Sequence, residues 1–262
     1  DISGHILSKL KNAAKAALGD EVTDVVITVP AYFGSAERTA TRQAGELAGL
    51  KVHQLIPEPT AAAVFYAVSE KHDQTVMVYD LGGGTFDITV MNVSEGNRVT
   101  VICTDGDSVL GGQDWDDRLV NYIAEVWQQE HGYETHPLDD PETAQDINNS
   151  AENAKINLSS REQVPMTVQH GAGRTRVDLT RDKFDELTAD LLTRTIELTK
   201  KTLEVAKSKG HAQVDKILLV GGSTYMPQVK KRLEIEVPGI TIEQLDPDQC
   251  VAKGAAIYGS NV

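Results

Sequence analysis

Asp80-Leu81-Gly82-Gly83-Gly84-Thr85-Phe86-Asp87 is the stretch on which the fold of this chain turns. It joins the apolar run Val76 to Asp80 to the alternating run Phe86 to Val93. Consecutive glycines let a backbone come close to a ligand and aim successive N–H groups at one anion, so the loop suits a phosphate. Asp80 ends one strand and Asp87 lies in the next. Both can face a magnesium ion and its waters, which require hard oxygen ligands, and Thr85 adds a hydroxyl. A plain hairpin with a flexible turn is the competing reading of the three glycines, and the flanking aspartates count against it. The element that follows decides the architecture. P-loops and dinucleotide-binding loops lead into a helix, whereas here a period-two pattern continues as a strand. The chain has no GxxxxGK[ST] and no third fingerprint glycine.

Working outward, Val22 to Val29 and Lys51 to Ile56 read as strands, and 6–18, 35–48 and 60–69 as helices, the second capped by Ser35. Val99 to Thr104 is a third strand after a turn at 94–97, which gives an antiparallel meander. Trp115, Leu119, Tyr122, Ile123 and Val126 recur at helical spacing after Gly111-Gly112. The acidic, proline-bearing stretch 132–146 reads as a surface loop, followed by a helix over 148–157. A hairpin over 164–179 turns at Gly171-Ala172-Gly173. One long helix is expected over 181–209, with Phe184, Leu187, Leu191, Leu192 and Leu198 inward. Strands at 216–220 and 240–242 alternate with helices at 227–233 and 252–258. The repeated strand–helix order argues for a layered α/β sheet.

Composition narrows the function. Among 262 residues the net charge is −14, which argues against a nucleic-acid surface. No apolar run approaches the roughly 18 residues of a membrane span, and no signal-like segment opens the chain, so it reads as soluble and cytoplasmic. Cys103 and Cys250 lack a CxxC partner and read as buried apolar residues. Glu130, His131, Glu134 and His136 lie close in sequence, but without metal-ligand spacing. No G-x-S-x-G elbow supports acyl transfer. Two further diglycine turns stand out: Gly111-Gly112, and Gly221-Gly222-Ser223-Thr224 after a strand and before a helix, where phosphate is attracted to the helix N-terminus.

Taken together, Asp80–Asp87, Glu58-Pro-Thr-Ala-Ala-Ala63 and Leu219-Val-Gly-Gly-Ser-Thr224 resemble the nucleotide-binding domain of the Hsp70 chaperones. Val29-Pro-Ala-Tyr-Phe33, Leu110-Gly-Gly-Gln-Asp-Trp-Asp116, Glu152-Asn-Ala-Lys-Ile-Asn-Leu-Ser-Ser160 and Asp246-Pro-Asp248 leading into Gly254-Ala-Ala256 extend the resemblance in collinear order over nearly the whole chain. It implies the actin-like (ribonuclease H-like) α/β ATPase fold. It also implies ATP or ADP with magnesium as cofactors, and a J-domain co-chaperone and a nucleotide exchange factor as partners. Unfolded polypeptide would be bound by a separate domain.

By that resemblance Asp80, Gly82, Gly83, Gly84 and Thr85 form the second phosphate loop. Asp80 and Asp87 hold magnesium through waters, and Glu58 positions the attacking water. Gly112, Glu152, Lys155 and Ser159 line the adenosine pocket, which Gly221, Gly222, Ser223 and Asp248 close. From the residues alone, Lys155 reads equally as a solvated helix charge, and Glu58 as a cap on the alanine-rich helix. Residues 1–72 would belong to the first lobe, 73–112 with 212–262 to the base of the second, and 113–211 to its smaller upper subdomain. Pro57 stands where the family usually has Asn, Gln113-Asp114-Trp115 replaces Glu-Asp-Phe, and Ile156 occupies the place of an adenine-stacking Arg in some members. The family's first phosphate loop and catalytic Lys find no match before Val22, so the chain reads as truncated at its N-terminus and impaired in catalysis. A sugar kinase or an actin-like filament protein are the alternatives within the fold.

Overall fold

The computed structural model describes residues 2–68, 73–94 and 98–260. The turn expected at 94–97 and the helix end at 69 fall at or beyond the limits of these segments. The described elements are α1 (Ile2–Leu18), β1 (Asp24–Val29), α2 (Ser35–Leu47), β2 (Lys51–Pro57), α3 (Glu58–Ala67), β3 (Gln74–Leu81), β4 (Phe86–Ser94), β5 (Arg98–Asp107), α4 (Gly112–His131), α5 (Pro141–Leu158), β6 (Gln163–His170), β7 (Gly173–Thr180), α6 (Arg181–Leu187), α7 (Ala189–Ser208), β8 (Lys216–Val220), α8 (Pro227–Glu236), β9 (Thr241–Gln244) and α9 (Cys250–Gly259). No described helix is long and apolar enough to cross a membrane.

A five-stranded mixed sheet ordered β5-β4-β3-β8-β9 organises the larger core. β3 and β4 pair antiparallel with Asp80 opposite Asp87, while β3 and β8 pair parallel with Asp80 opposite Val220. β3 therefore reads as a continuous apolar run, because both of its faces are covered. On one face Met77, Tyr79 and Leu81 join Trp115, Leu119, Ile123 and Ile196. On the other, Val76 and Val78 meet Ala62, Ala63, Tyr66 and Cys250. β1 and β2 form a separate parallel pair, and β6 and β7 an antiparallel hairpin. α3 and α9 approach unusually closely, since a Cβ on Gly254 would sit 1.8 Å from the Ala61 carbonyl oxygen. Cys103 and Cys250 are both free and buried.

Three sequence expectations are corrected. The cap of α2 is Gly34 rather than Ser35, and no side-chain capping bond forms there. α5 begins at Pro141 inside the stretch read as loop, because Asp140 caps it by accepting from the Thr143 amide and Pro141 suits the first turn. The single long helix over 181–209 is two helices broken at Thr188, whose hydroxyl donates to the Phe184 carbonyl at 2.8 Å and so competes with the helical ladder. Phe184, Leu191 and Leu192 are buried as expected, whereas Leu187 and Leu198 are only partly so.

Candidate functional site

The parallel pairs β1–β2 and β3–β8 send their carboxyl ends toward one region, where Tyr32, after β1, reaches Thr85, and Glu58, after β2, lies near Asp80 and Asp87. In open α/β sheets that end is where ligands bind. Asp80 is the last residue but one of β3, Asp87 faces it from β4, and Glu58 starts α3 directly after β2. The three carboxyls feel one another. Burial, with the charges of Glu58 and Asp87, pushes Asp80 up to about 7. Burial and then Asp87 push Glu58 up to about 7. Asp87 is raised to about 6 by burial, partly offset by the backbone amide of Ala31. No lysine or arginine charge is among the causes of these shifts. Asp87 is 3% exposed, and its Oδ1 is buried with no hydrogen-bond partner among the described residues.

The three glycine turns meet beside these acids. The Gly112 amide donates to the Gly82 carbonyl at 2.9 Å, the Ser223 hydroxyl donates to the same carbonyl at 2.9 Å, and the Gln113 amide donates to that of Gly83 at 2.8 Å. Gly221 has φ of 85°, and a Cβ there would lie 2.4 Å from the Leu81 carbonyl oxygen and 2.6 Å from Asp80 Oδ1. Only glycine fits both the left-handed backbone and the contact. Cβ atoms on Gly83 and Gly84 would meet no atom within 4 Å, so the middle of the first loop faces open space. Asp248 Oδ1 lies 3.3 Å from where a Gly222 Cβ would be.

Glu152 and Lys155 share one face of α5 with Ser159, the residue that ends it. Lys155 Nζ donates to Asp116 Oδ2 at 2.6 Å and to the Gly112 carbonyl at 3.0 Å, so it is held rather than solvated. Glu152 lines a cavity of about 250 Å³ between α4 and α5 with Asp116, Gln113, Gln145, Asn148 and Asn149. Ile156 is 59% exposed, while Trp115 packs wholly inside the core. A groove of about 770 Å³ between α1, β1 and α9 is larger but contains none of these residues, and its lining is mostly apolar.

Sequence reading missed three participants. Ala31 donates to Asp87. The Tyr32 hydroxyl is bonded to Thr85 and lies close enough to Asp87 and Glu58 for their charges to help raise it, after burial. Asp116 holds Lys155. The loop 30–33 follows a parallel strand, which is a usable signal, whereas the Asp116–Lys155 contact joins positions 39 apart. The residues fit a hydrated divalent cation. They present an orphaned buried carboxylate oxygen and two raised carboxyls nearby, yet no three acidic, His or Cys side chains among the described residues come close enough to ligate one ion directly. The cluster Glu130, His131, Glu134 and His136 forms no metal site there either; His131 bonds the Thr175 hydroxyl instead.

Comparison with known proteins places these features in one family. The model of the Hsp70 protein family matches residues 1–261. The "Chaperone protein DnaK" of two strains of Halobacterium salinarum is 42% identical over 265 residues, covering 99% of this chain and 42% of each relative. The chain thus spans about two fifths of the length of those relatives. Glycine turns gathered on a mixed sheet, a match over almost every residue and this level of identity lead to one conclusion: the chain belongs to the Hsp70 family, whose nucleotide-binding domain has the actin-like α/β ATPase fold.

Proposed function

We propose that this chain is the nucleotide-binding part of an ATP-hydrolysing chaperone, and that ATP or ADP with magnesium sits where the three glycine turns meet. The observation that carries the reading is the gathering of Glu58, Asp80 and Asp87 beside glycine backbone open to a ligand. Amides of Gly82, Gly83 and Gly84 and the Thr85 hydroxyl hold phosphate oxygens from one side, and Gly221, Gly222 and Ser223 from the other, with Asp248 behind Gly222. Gly112, Glu152, Lys155 and Ser159 form the adenosine side. Asp80 and Asp87 would hold magnesium through its waters. When bound, that ion supplies the positive charge that phosphoryl transfer requires. A Glu58 carboxyl near neutrality suits orienting a water and taking its proton.

In the whole protein, ATP binding and hydrolysis are coupled to peptide binding by a separate domain, as the relatives' name, chaperone protein DnaK, supports. The partners are a J-domain co-chaperone, a nucleotide exchange factor and unfolded polypeptide, with no nucleic acid and no membrane, in the cytoplasm. Residues 1–72 belong to one lobe, 73–112 with 212–262 to the base of the other, and 113–211 to its upper subdomain. Nucleotide draws the lobes together.

Calorimetric titration of the 262-residue chain with ADP and ATP, each with and without magnesium, tests the reading. Weak binding is expected, similar for the two nucleotides and weakened by Asp80→Ala; no heat from either nucleotide would overturn it. Hydrolysis by this chain is expected to be very slow, because no lysine or arginine charge is among the influences on Glu58, Asp80 and Asp87 within the described residues, and each missing electrostatic group costs roughly a hundredfold. A single-turnover assay matching an intact ATPase domain, and abolished by Asp80→Ala, would refute that expectation.

A further inference from the structure

A lysine ammonium has three N–H donors and no acceptor. In Lys155 two of them are committed, to Asp116 Oδ2 and to the Gly112 carbonyl. The pair is well shielded, with the lysine side chain 13% and the aspartate side chain 7% exposed. Asp116 Oδ1 is buried without a hydrogen-bond partner among the described residues, so the lysine is the carboxylate's one bonded partner there. Asp116 and Gly112 lie four residues apart on one face of α4, as Glu152 and Lys155 lie three apart on α5. A Cβ on Gly112 would come within 3.2 Å of Lys155 Nζ and 2.3 Å of Ser223 Oγ, so the ammonium abuts the junction of the glycine turns. A long, flexible side chain is thereby fixed in one rotamer before any ligand arrives, which removes an ordering cost from binding.

We propose that Asp116 is a positioning residue: it holds the Lys155 ammonium so that its uncommitted N–H is presented to a sugar hydroxyl of the nucleotide. The proposal rests on the adenosine side assigned above. Lys155 makes the contact, and Asp116 acts only through it. The consequence is selectivity. A site whose donor is fixed for a hydroxyl rejects the analogue that lacks one, because the donor is then left unpaired.

Affinities of the 262-residue chain for ADP and for its 2′-deoxy and 3′-deoxy counterparts read this out. The wild-type chain is expected to prefer ADP over at least one deoxy analogue by roughly tenfold, the worth of one charge-assisted hydrogen bond. Asp116→Asn keeps the shape and removes the charge. It should lower ADP affinity by roughly tenfold, leave the analogue's within about twofold, and so bring the ratio near one. Lys155→Met should bring the ratio to the same value, and the two changes together should add nothing further, since they act on one contact. Asp116→Glu, which restores the charge, should restore part of the preference. A merely structural role would weaken all three nucleotides alike. If Asp116→Asn fails to fold because it leaves the ammonium unpaired, the double variant, with no charge left, carries the measurement. The wild-type ratio surviving in either variant overturns the proposal while leaving the nucleotide site intact. A wild-type chain that binds none of the three overturns the nucleotide site itself.

Discussion

The two sides of the glycine junction treat buried charge in opposite ways. On one side Glu58, Asp80 and Asp87 crowd together with no lysine or arginine charge among the described residues acting on them, and all three are raised well above the ordinary carboxylate range. On the other, Asp116 is also buried and raised by burial, but Lys155 meets it at 2.6 Å and offsets part of that rise. The first side is electrostatically incomplete and suited to positive charge from outside. The second is complete in itself and offers a fixed donor to something neutral. A nucleotide with its magnesium has both properties at its two ends.

The junction that keeps the sides apart is the place to break this contrast. Gly221→Ala puts a methyl group against the Leu81 carbonyl and Asp80 and forces an L-residue to φ of 85°. Left-handed strain and overpacking together should cost about 3 kcal/mol or more, visible as a lowered urea midpoint. A loss below about 1 kcal/mol would mean that the loop can rearrange and that the sides are not rigidly joined. Lys155→Met comes next. It strands a buried carboxylate, for which about 3 kcal/mol is typical, and the loss should be the same with and without magnesium. A magnesium-dependent loss would tie the lysine to the acidic side.

Much of this arrangement is written locally. The strands flanking Gly82 to Gly84, and the turns at Gly111 and Gly221, are each legible from their own neighbours, because backbone freedom and period-two alternation are local properties; that the turns meet, with Ser223 bonded to Gly82 across 141 positions, is not. The start of α5 was legible in principle, as Asp140-Pro141 is a cap followed by a first-turn proline; the surrounding acids and second proline obscured it. The break at Thr188 depends on a hydroxyl that can turn either to its own helix or to Gln228, and periodicity does not register that choice. The particular contacts of Asp116 and Tyr32 were not legible for a stronger reason, although the place of Tyr32 in a loop after a parallel strand was a general signal. Their roles come from α5 crossing α4, and from the loop after β1 reaching Thr85, and such tertiary approaches leave no periodic trace.

The acidic side should respond to pH more strongly than the lysine side, where Lys155 opposes the rise of Asp116. Carboxyls raised in the fold keep their protons to higher pH than in the unfolded chain, so the folded state binds more protons between about pH 4 and about pH 7, and stability falls as pH rises through that window. Asp87→Asn removes one of the three charges and should stabilise the metal-free chain by about 1 kcal/mol at pH 8, with little effect at pH 5. Added magnesium should stabilise the wild-type chain at pH 8 and much less at pH 5, because an ion binding the folded state must displace those protons. Thermal melts over pH 5 to 8 decide it; a metal-free stability that rises with pH would show that the carboxyls are not coupled as described.

The smallest effect on folding is expected at Gly83. Its Cβ would meet nothing within 4 Å and its φ is not positive, so Gly83→Ala should change stability by no more than about 0.5 kcal/mol. Gly111, one turn away in space, provides the contrast, for a Cβ there would lie 2.5 Å from the Gly84 amide nitrogen and 2.6 Å from the Gly83 carbonyl. Gly111→Ala should therefore destabilise the chain by about 2 kcal/mol through overpacking of the junction. The two substitutions then separate the reasons for having glycine. At Gly111 the need is for backbone to touch backbone. At Gly83 a Cβ would meet nothing within 4 Å, and on the proposed reading a methyl group there would stand in the way of a phosphate oxygen at the loop amides. Nucleotide affinity in Gly83→Ala should fall roughly tenfold, the loss of about one good hydrogen bond, while the melting curve stays put. A Gly83→Ala chain that binds ADP like the wild type would leave the open loop without a phosphate to hold, and would remove the acidic side of the comparison as a nucleotide site.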